Sequence, residues 1–303
     1  MNNSPQFRSA FIALLGRPNS GKSTLMNSIL EEQISIVTAL PQTTRKNIRG
    51  IYTTESMQLI FVDTPGIHKG KHAFNEAMIK EASAVLNEGG IDLVCYIVDL
   101  SRDFGEEEQI VSQIIASSSL PKLIIFNKSD KCSSAEEKKR EFHDKFQIFK
   151  DTPSITLSAI SKDAKSIFIS SIEPFINPGP QYFDEDSLTD ASMRFISSEI
   201  IRKQIILNTR EEVPHATFVE IESYRESEER HWIIATIHVE TTGQRGIIVG
   251  KKGSLISRIK RSASREISEL TGVPVSLTLH VKVSPGWRDN KRFISRQGMP
   301  FSL

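Results

Sequence analysis

Residues 11–30 read FIALLGRPNSGKSTLMNSIL: a short apolar run, a turn rich in glycine, then a segment of helical period. Gly16 to Ser23 fit the GxxxxGK[ST] pattern, with a strand expected before it and a helix after it. That order restricts the fold more than any other feature of the chain. A strand must end in a tight loop that feeds a helix N-terminus, where backbone amides and the helix dipole both favour phosphate. Gly16 and Gly21 allow backbone angles that a side chain would block. The loop Gly16, Arg17, Pro18, Asn19, Ser20, Gly21, with Lys22, Ser23 and Thr24 of the helix, is therefore expected to wrap a nucleotide's phosphates. Lys22 would reach the β- and γ-phosphates, and the Ser23 hydroxyl would bind Mg²⁺. The loop alone leaves ATP and GTP equally open.

The rest of the first half fits such a sheet. SMQLIFVDT (56–64), DLVCYIVDL (92–100), KLIIFNK (122–128) and SITLSA (154–159) read as strands. FNEAMIKEASAVL, EEEQIVSQIIASS, a segment near 135–149 and DAKSIFISSIEPFI read as helices between and after them. Near-continuous apolar strands alternating with helices predict a mostly parallel, doubly wound α/β sheet. EPFINPGPQYFDEDSLTD (173–190) carries three prolines, a glycine and acidic residues, which predicts a linker. The expected plan is a nucleotide-binding domain over 1–176, a linker over 177–190 and a second domain over 191–303.

The base would be read elsewhere. NKSD (127–130) ends a buried strand, where doubly wound sheets bind ligands. A carboxylate there accepts two N–H bonds from guanine N1 and N2, and adenine offers neither. Asp130 is the expected guanine reader, Asn127 would hold the surrounding loops and guanine N7, and the Lys128 stem would cover the base. In DTPG, Asp63 would contact Mg²⁺ through water and the Gly66 amide would bind the γ-phosphate, with Thr64 and Pro65 between them. In PQTTR (41–45), Thr44 is the expected second Mg²⁺ ligand and Thr43 the alternative. Lys22, Thr44 and Gly66 form the expected catalytic set. In SAI (158–160), Ser158 and Ala159 flank the base, and the Ala159 amide would donate to guanine O6. Ile67 follows DTPG, where a water-orienting glutamine would otherwise stand, so slow intrinsic hydrolysis is expected.

The second half follows an αββααβ order. IIVGKKGSLI (247–256) carries GxxG at Gly250, Lys251, Lys252 and Gly253, which in that setting predicts a type II KH domain, an α+β fold whose loop clamps a single-stranded backbone. Leu255, Ile259, Ala263, Ile267 and Leu270 are spaced for one buried face of the next helix, with Arg258, Arg261 and Arg265 on another. Arg288, Lys291 and Arg292 stand near Trp287 and Phe293, and packing of the two aromatics is favoured over base stacking. Gln244 to Leu303 hold twelve lysines and arginines against three carboxylates, a net of +9, while the whole chain carries +1. A basic end on an acidic body suits a polyanion partner. Two cysteines, Cys95 and Cys132, imply neither a zinc site nor a disulfide framework. No run approaches the roughly 18 apolar residues of a spanning helix. The histidines show no metal-like spacing, and His68 and His72 read as solvated.

GRPNSGKSTLMNSIL, PQTTR, DTPGIH, NKSD, RFISSEIIR, EEVPH, IIVGKKGS and VKVSPGW together resemble the Era family of bacterial GTPases, over nearly all of 8–290. The resemblance implies binding near the 3′ end of 16S rRNA, a role in 30S subunit maturation, and a cytoplasmic location with some peripheral association with the inner membrane; a monomer is expected. It implies no DNA partner. It also implies loops around 33–46 and 65–75 that order with GTP. In related GTPases with NxGKS the asparagine coordinates K⁺, so Asn19 is a candidate K⁺ ligand. SKDAKS follows SAI where the family carries a glycine, so the loop after Ala159 is expected to be shaped differently. Two other readings remain: an RNA-binding assembly protein that barely turns GTP over, and a P-loop ATPase or kinase.

Overall fold

The computed structural model of the chain describes residues 6–32, 34–35, 44–67, 72–87 and 89–296. It divides into two compact units, residues 1–71 with 75–190, and residues 72–74 with 191–303.

In the first unit strands and helices alternate but for the β2–β3 hairpin: β1 (Arg8–Gly16), α1 (Lys22–Leu30), β2 (Ile48–Thr53), β3 (Met57–Asp63), α2 (Ala73–Ala84, in this unit from Asn75), β4 (Leu93–Asp99), α3 (Glu106–Ala116), β5 (Lys122–Asn127), α4 (Ala135–Lys145), β6 (Ser154–Thr156) and α5 (Ala164–Ile172). The strand order is β2-β3-β1-β4-β5-β6, parallel except for β2, which runs antiparallel to β3. Every residue of β4 is buried, as an apolar run covered on both faces must be. Tyr96, Phe126, Phe142 and Phe149 pack edge to face at one flank of the sheet.

β2 is absent from the sequence expectation. Arg49 and Gly50 break its apolar run, and the structure shows why Gly50 is there. A Cβ at Gly50 would lie 2.6 Å from Leu30 Cδ1 and 2.8 Å from Met26 Sδ, so α1 can press on β2 only over a glycine. As the edge strand, β2 would also expose unpaired backbone groups. The chain after α5 covers them. β7 (Asn177–Pro178) pairs antiparallel with the start of β1. Buried Gln58 then takes the amides of Tyr182 and Phe183 at 2.8 and 3.0 Å. Farther on, the Ile51 amide donates to Leu188 O at 2.9 Å, and Arg49 meets Asp190 at 2.7 Å. The linker-like segment is thus strapped to the sheet as far as Asp190.

The second unit holds α6 (Met193–Asn208), β8 (Phe218–Arg225), β9 (His231–Val239), α7 (Thr242–Val249), α8 (Ser254–Thr271), β10 (Val275–Val283) and α9 (Lys291–Arg296). Its sheet order is β10-β9-β8, with β9 parallel to β10 and antiparallel to β8. Ile259, Ala263 and Ile267 of α8 are fully buried against it, while Leu270, expected on the same stripe, is 49% exposed. It lies in the last turn before the left-handed cap Gly272. Trp287 is 1% exposed, donates its indole N–H to Ala216 O at 2.9 Å and packs with Phe293 as a core residue. His72, read as solvated, belongs to this unit, with Nδ1 3.0 Å from Asp289 Oδ2. No described helix is long and apolar enough to cross a membrane.

Candidate functional site

The loop between β1 and α1 needs its glycines for contact as well as for angle. A Cβ on Gly16 would sit 2.5 Å from Ile97 O, and Gly21 has φ 101. Gly66 presses its Cα on the same loop, where a Cβ would lie 2.5 Å from Pro18 Cα. DTPG and the phosphate loop therefore touch backbone to backbone. Ile67 is fully buried in the core, and its amide donates to Gly16 O at 3.2 Å. No polar side chain stands at that position.

Lys22 is buried, and its ammonium donates to Gly16 O at 3.1 Å and Arg17 O at 2.8 Å. Burial lowers its pKa to about 8, against the opposing pull of the Asp63 and Glu108 carboxylates. Without nucleotide, the share of neutral lysine therefore increases as pH rises through that value. Phosphate binding requires the ammonium, so binding above pH 8 is expected to take up a proton. GTP affinity is expected to fall by up to about tenfold per pH unit there. Calorimetry in buffers of different ionisation enthalpy measures both. A flat affinity to pH 9.5 without proton uptake contradicts the assignment.

Three expected ligands of a divalent ion come together. Ser23 Oγ lies 2.6 Å from Asp63 Oδ2, Thr44 Oγ1 lies 3.2 Å from the same oxygen, and the two hydroxyls are 3.0 Å apart. The other Asp63 oxygen, Oδ1, is buried with no hydrogen-bond partner among the described residues. Burial raises the Asp63 pKa, opposed by Lys22 and by hydroxyl donors. One carboxylate with a spare oxygen beside two hydroxyls fits Mg²⁺, a hard ion that keeps several of its waters. Thr43, the alternative ligand, lies outside the described residues, as do most of the loop at 33–46 and residues 68–71. Ser35, which the sequence did not single out, adds a third hydroxyl 2.9 Å from Asp63 Oδ2. Asn27 of α1 holds it there by bonding Ser35 N and O at 3.0 and 2.8 Å.

The base motif is bolted to the phosphate loop. Asn127 Nδ2 donates to Ser20 O at 2.8 Å, and its Oδ1 accepts the Ala159 amide at 2.9 Å. The Ala159 amide, expected on guanine O6, is thus committed to Asn127. Asp130 is exposed, and Ser158 Oγ donates to its Oδ1 at 2.6 Å, which orients the carboxylate. Lys128 Nζ lies 2.7 Å from the fully buried Asp99, whose other oxygen takes the Ser101 amide at 2.9 Å. Asp99 also escaped the sequence reading, because an aspartate closing an apolar strand looks like an ordinary turn residue.

In the second unit the GxxG turn has positive φ at Gly250, Lys252 and Gly253, 71, 53 and 77, with the last two in the left-handed conformation. Lys251 and Lys252 are exposed, as are Arg258 and Arg261 on α8 and Lys291 and Arg292 on α9. Arg288, expected to face RNA, is instead paired with Glu240. Reversing Lys251 and Lys252 to glutamate is expected to weaken single-stranded RNA binding at least tenfold and to flatten the slope of log affinity against log salt by about 1.4. GTP affinity should stay unchanged in a parallel titration, and an unaltered salt slope contradicts the assignment.

A family described as "50S ribosome-binding GTPase" matches residues 11–128, and one described as "KH domain" matches residues 212–288. GTPase Era of Synechocystis sp. is 38% identical over 289 residues, 94% of this chain and 90% of that protein. GTPase Era of Geobacter metallireducens is 38% identical over 302 residues, 98% of this chain and 99% of that one. A crystal structure of Era in complex with MgGDPNP and nucleotides 1506–1542 of 16S ribosomal RNA superposes with a TM-score of 0.89 at 29% identity, covering 95% of this chain and 98% of that one. An Aquifex aeolicus Era variant bound to GDP·AlF4⁻ gives a TM-score of 0.88 over the same shares. Fold and site together define a P-loop GTPase followed by a KH domain. The chain belongs to the Era family of GTPases.

Proposed function

We propose that the chain is a GTP-hydrolysing switch that binds 16S rRNA near its 3′ end through its KH domain and acts in 30S subunit assembly and maturation. One observation carries this reading: its structure follows, over both units, an Era that was solved with MgGDPNP and 16S rRNA nucleotides together. The domain plan is a G domain over 1–176, a linker over 177–190 and a KH domain over 191–303. The location is cytoplasmic, with peripheral association with the inner membrane, and the protein acts as a monomer.

Gly16–Thr24 cradle the phosphates, and Lys22 meets the β- and γ-phosphates. Asp63–Gly66 close the γ-phosphate side, and Thr44 joins Ser23 and Asp63 around Mg²⁺. When bound, that ion offsets charge on the phosphate oxygens. Asp130 reads guanine, with Asn127, Lys128, Ser158 and Ala159 shaping the pocket. The RNA face comprises Gly250, Lys251, Lys252, Gly253, Arg258, Arg261, Lys291 and Arg292. Asn19 holds φ 61 in the middle of the phosphate loop, and K⁺ beside it would supply charge that the Ile67 position cannot. Single-turnover hydrolysis in K⁺ and Na⁺ buffers, with and without RNA from the 16S 3′ end, tests this. Slow basal turnover that K⁺ and RNA raise is expected. Equal rates in all four conditions remove the K⁺ site and the RNA-coupled switch.

A further inference from the structure

A buried charged group that the site chemistry does not use lies behind the phosphate loop. The Arg17 side chain leaves the loop and is 3% exposed, and the Glu108 side chain it meets on α3 is fully buried. Arg17 Nε stands 2.5 Å from Glu108 Oε2, an ion pair out of hydrogen-bond alignment, and Nη1 donates to Asp103 O at 2.9 Å. Glu108 is held in turn, because Tyr96 Oη donates to its Oε1 at 2.6 Å. Tyr96 sits on β4 in register with Leu15, the residue before the loop. The Arg17 peptide is therefore pinned through both its strand and its side chain. Its carbonyl oxygen is the nearer of the two on which the Lys22 ammonium rests, at 2.8 Å against 3.1 Å for Gly16.

We propose that Glu108 and Arg17 form a positioning pair for Lys22: the ion pair fixes the Arg17 carbonyl, and that carbonyl sets where the ammonium meets the β- and γ-phosphates. Stability alone is a poor reason for such a pair. Buried ion pairs are often no more stabilising than apolar residues of similar volume, and removing one partner leaves a costly buried charge. Glu108 is also one of the two carboxylates whose charge acts on Lys22, the other being Asp63 of the Mg²⁺ set. The pair thus acts on Lys22 through the backbone and through space. The Arg102 guanidinium reinforces the placement by donating to Pro18 O at 3.3 Å from the same β4–α3 connection.

The inference rests on Lys22 as the phosphate contact, so Lys22→Ala is measured beside it. The informative variants are Glu108→Gln, which keeps the volume and the acceptor for Tyr96, and Arg17→Lys, which keeps the charge without the planar fork. Both are compared with the double variant Arg17→Met, Glu108→Met, in the full-length protein. Thermal melts are recorded for each, with affinities for GTP, GDP and GMP and single-turnover hydrolysis well below Tm.

Glu108→Gln and Arg17→Lys are expected to slow hydrolysis roughly 10- to 100-fold, the scale of a small misplacement at a reacting centre. They should weaken GTP more than GDP and leave GMP within twofold, because GMP lacks the phosphates that Lys22 reaches. The double variant should recover Tm without recovering the rate. Single variants with wild-type rates and an altered Tm, or a double variant that regains the rate, would overturn the proposal. If Lys22→Ala itself hydrolyses GTP normally, the reading of Lys22 fails instead. Should Glu108→Gln not fold, Arg17→Lys and the double variant decide.

Discussion

Asp130→Asn is expected to lower GTP affinity by a factor on the order of 10³–10⁴ and to move preference to xanthosine triphosphate. A site built to pair a polar edge rejects a partner lacking it by about that much, because its own buried or oriented group is left unpaired. The Asp130 carboxylate accepts the Ser158 hydroxyl at 2.6 Å, which orients it, and a swing to relieve a mismatch would lose that bond. The asparagine amide offers an N–H where guanine also presents N–H, whereas xanthine carries a carbonyl at that position. Competition binding with GTP, XTP and ATP measures the change. Unchanged GTP affinity would refute Asp130 as the reader, and ATP competing equally with GTP in the wild type would revive an ATPase or kinase.

Gly21→Ala is expected to cost on the order of 100-fold in affinity for both GTP and GDP. The new Cβ would stand 2.1 Å from Asn127 Nδ2, and φ 101 at this residue is strained for any side chain. The strain costs about 1–2 kcal/mol. Pushing Asn127 aside also loses its bonds to Ser20 O and the Ala159 amide, at about 1 kcal/mol each. The sum is about 3–4 kcal/mol, or two to three orders of magnitude if the empty loop relaxes and binding must restore it. The base and phosphate motifs fail together because they share this contact. In an Asn127→Ala background the same substitution should cost clearly less, and strict additivity of the two losses would contradict the shared contact.

The local motifs were legible because their chemistry is local. GRPNSGKS, DTPG, NKSD and GKKG each bring their own turn geometry, and the apolar runs around them carry the sheet order. β2 was not legible, because the edge strand needs Gly50 to admit α1, and that neighbour lies outside the pattern of the strand itself. Glu108 was hidden for a different reason. With Glu106 and Glu107 it looks like an ordinary acidic first turn that favours the helix dipole. Only the fold turns the third glutamate inward to Arg17. The same holds for Arg288, whose basic neighbours suggested RNA while Glu240 takes its charge. The sequence favours packing for Trp287, and its buried indole N–H on Ala216 O agrees.

The proposed switch joins, in one chain, a guanine-nucleotide site to an RNA-reading KH loop directed at the small ribosomal subunit. The most direct test is a crosslinking map of RNA bound to the GTP-loaded protein in cell extract, compared with Lys251→Glu, Lys252→Glu. Crosslinks are expected to concentrate at the 3′ end of 16S rRNA and to be lost in the charge-reversed variant. Crosslinks spread over unrelated RNAs, or a 16S pattern indifferent to the two lysines, would contradict it.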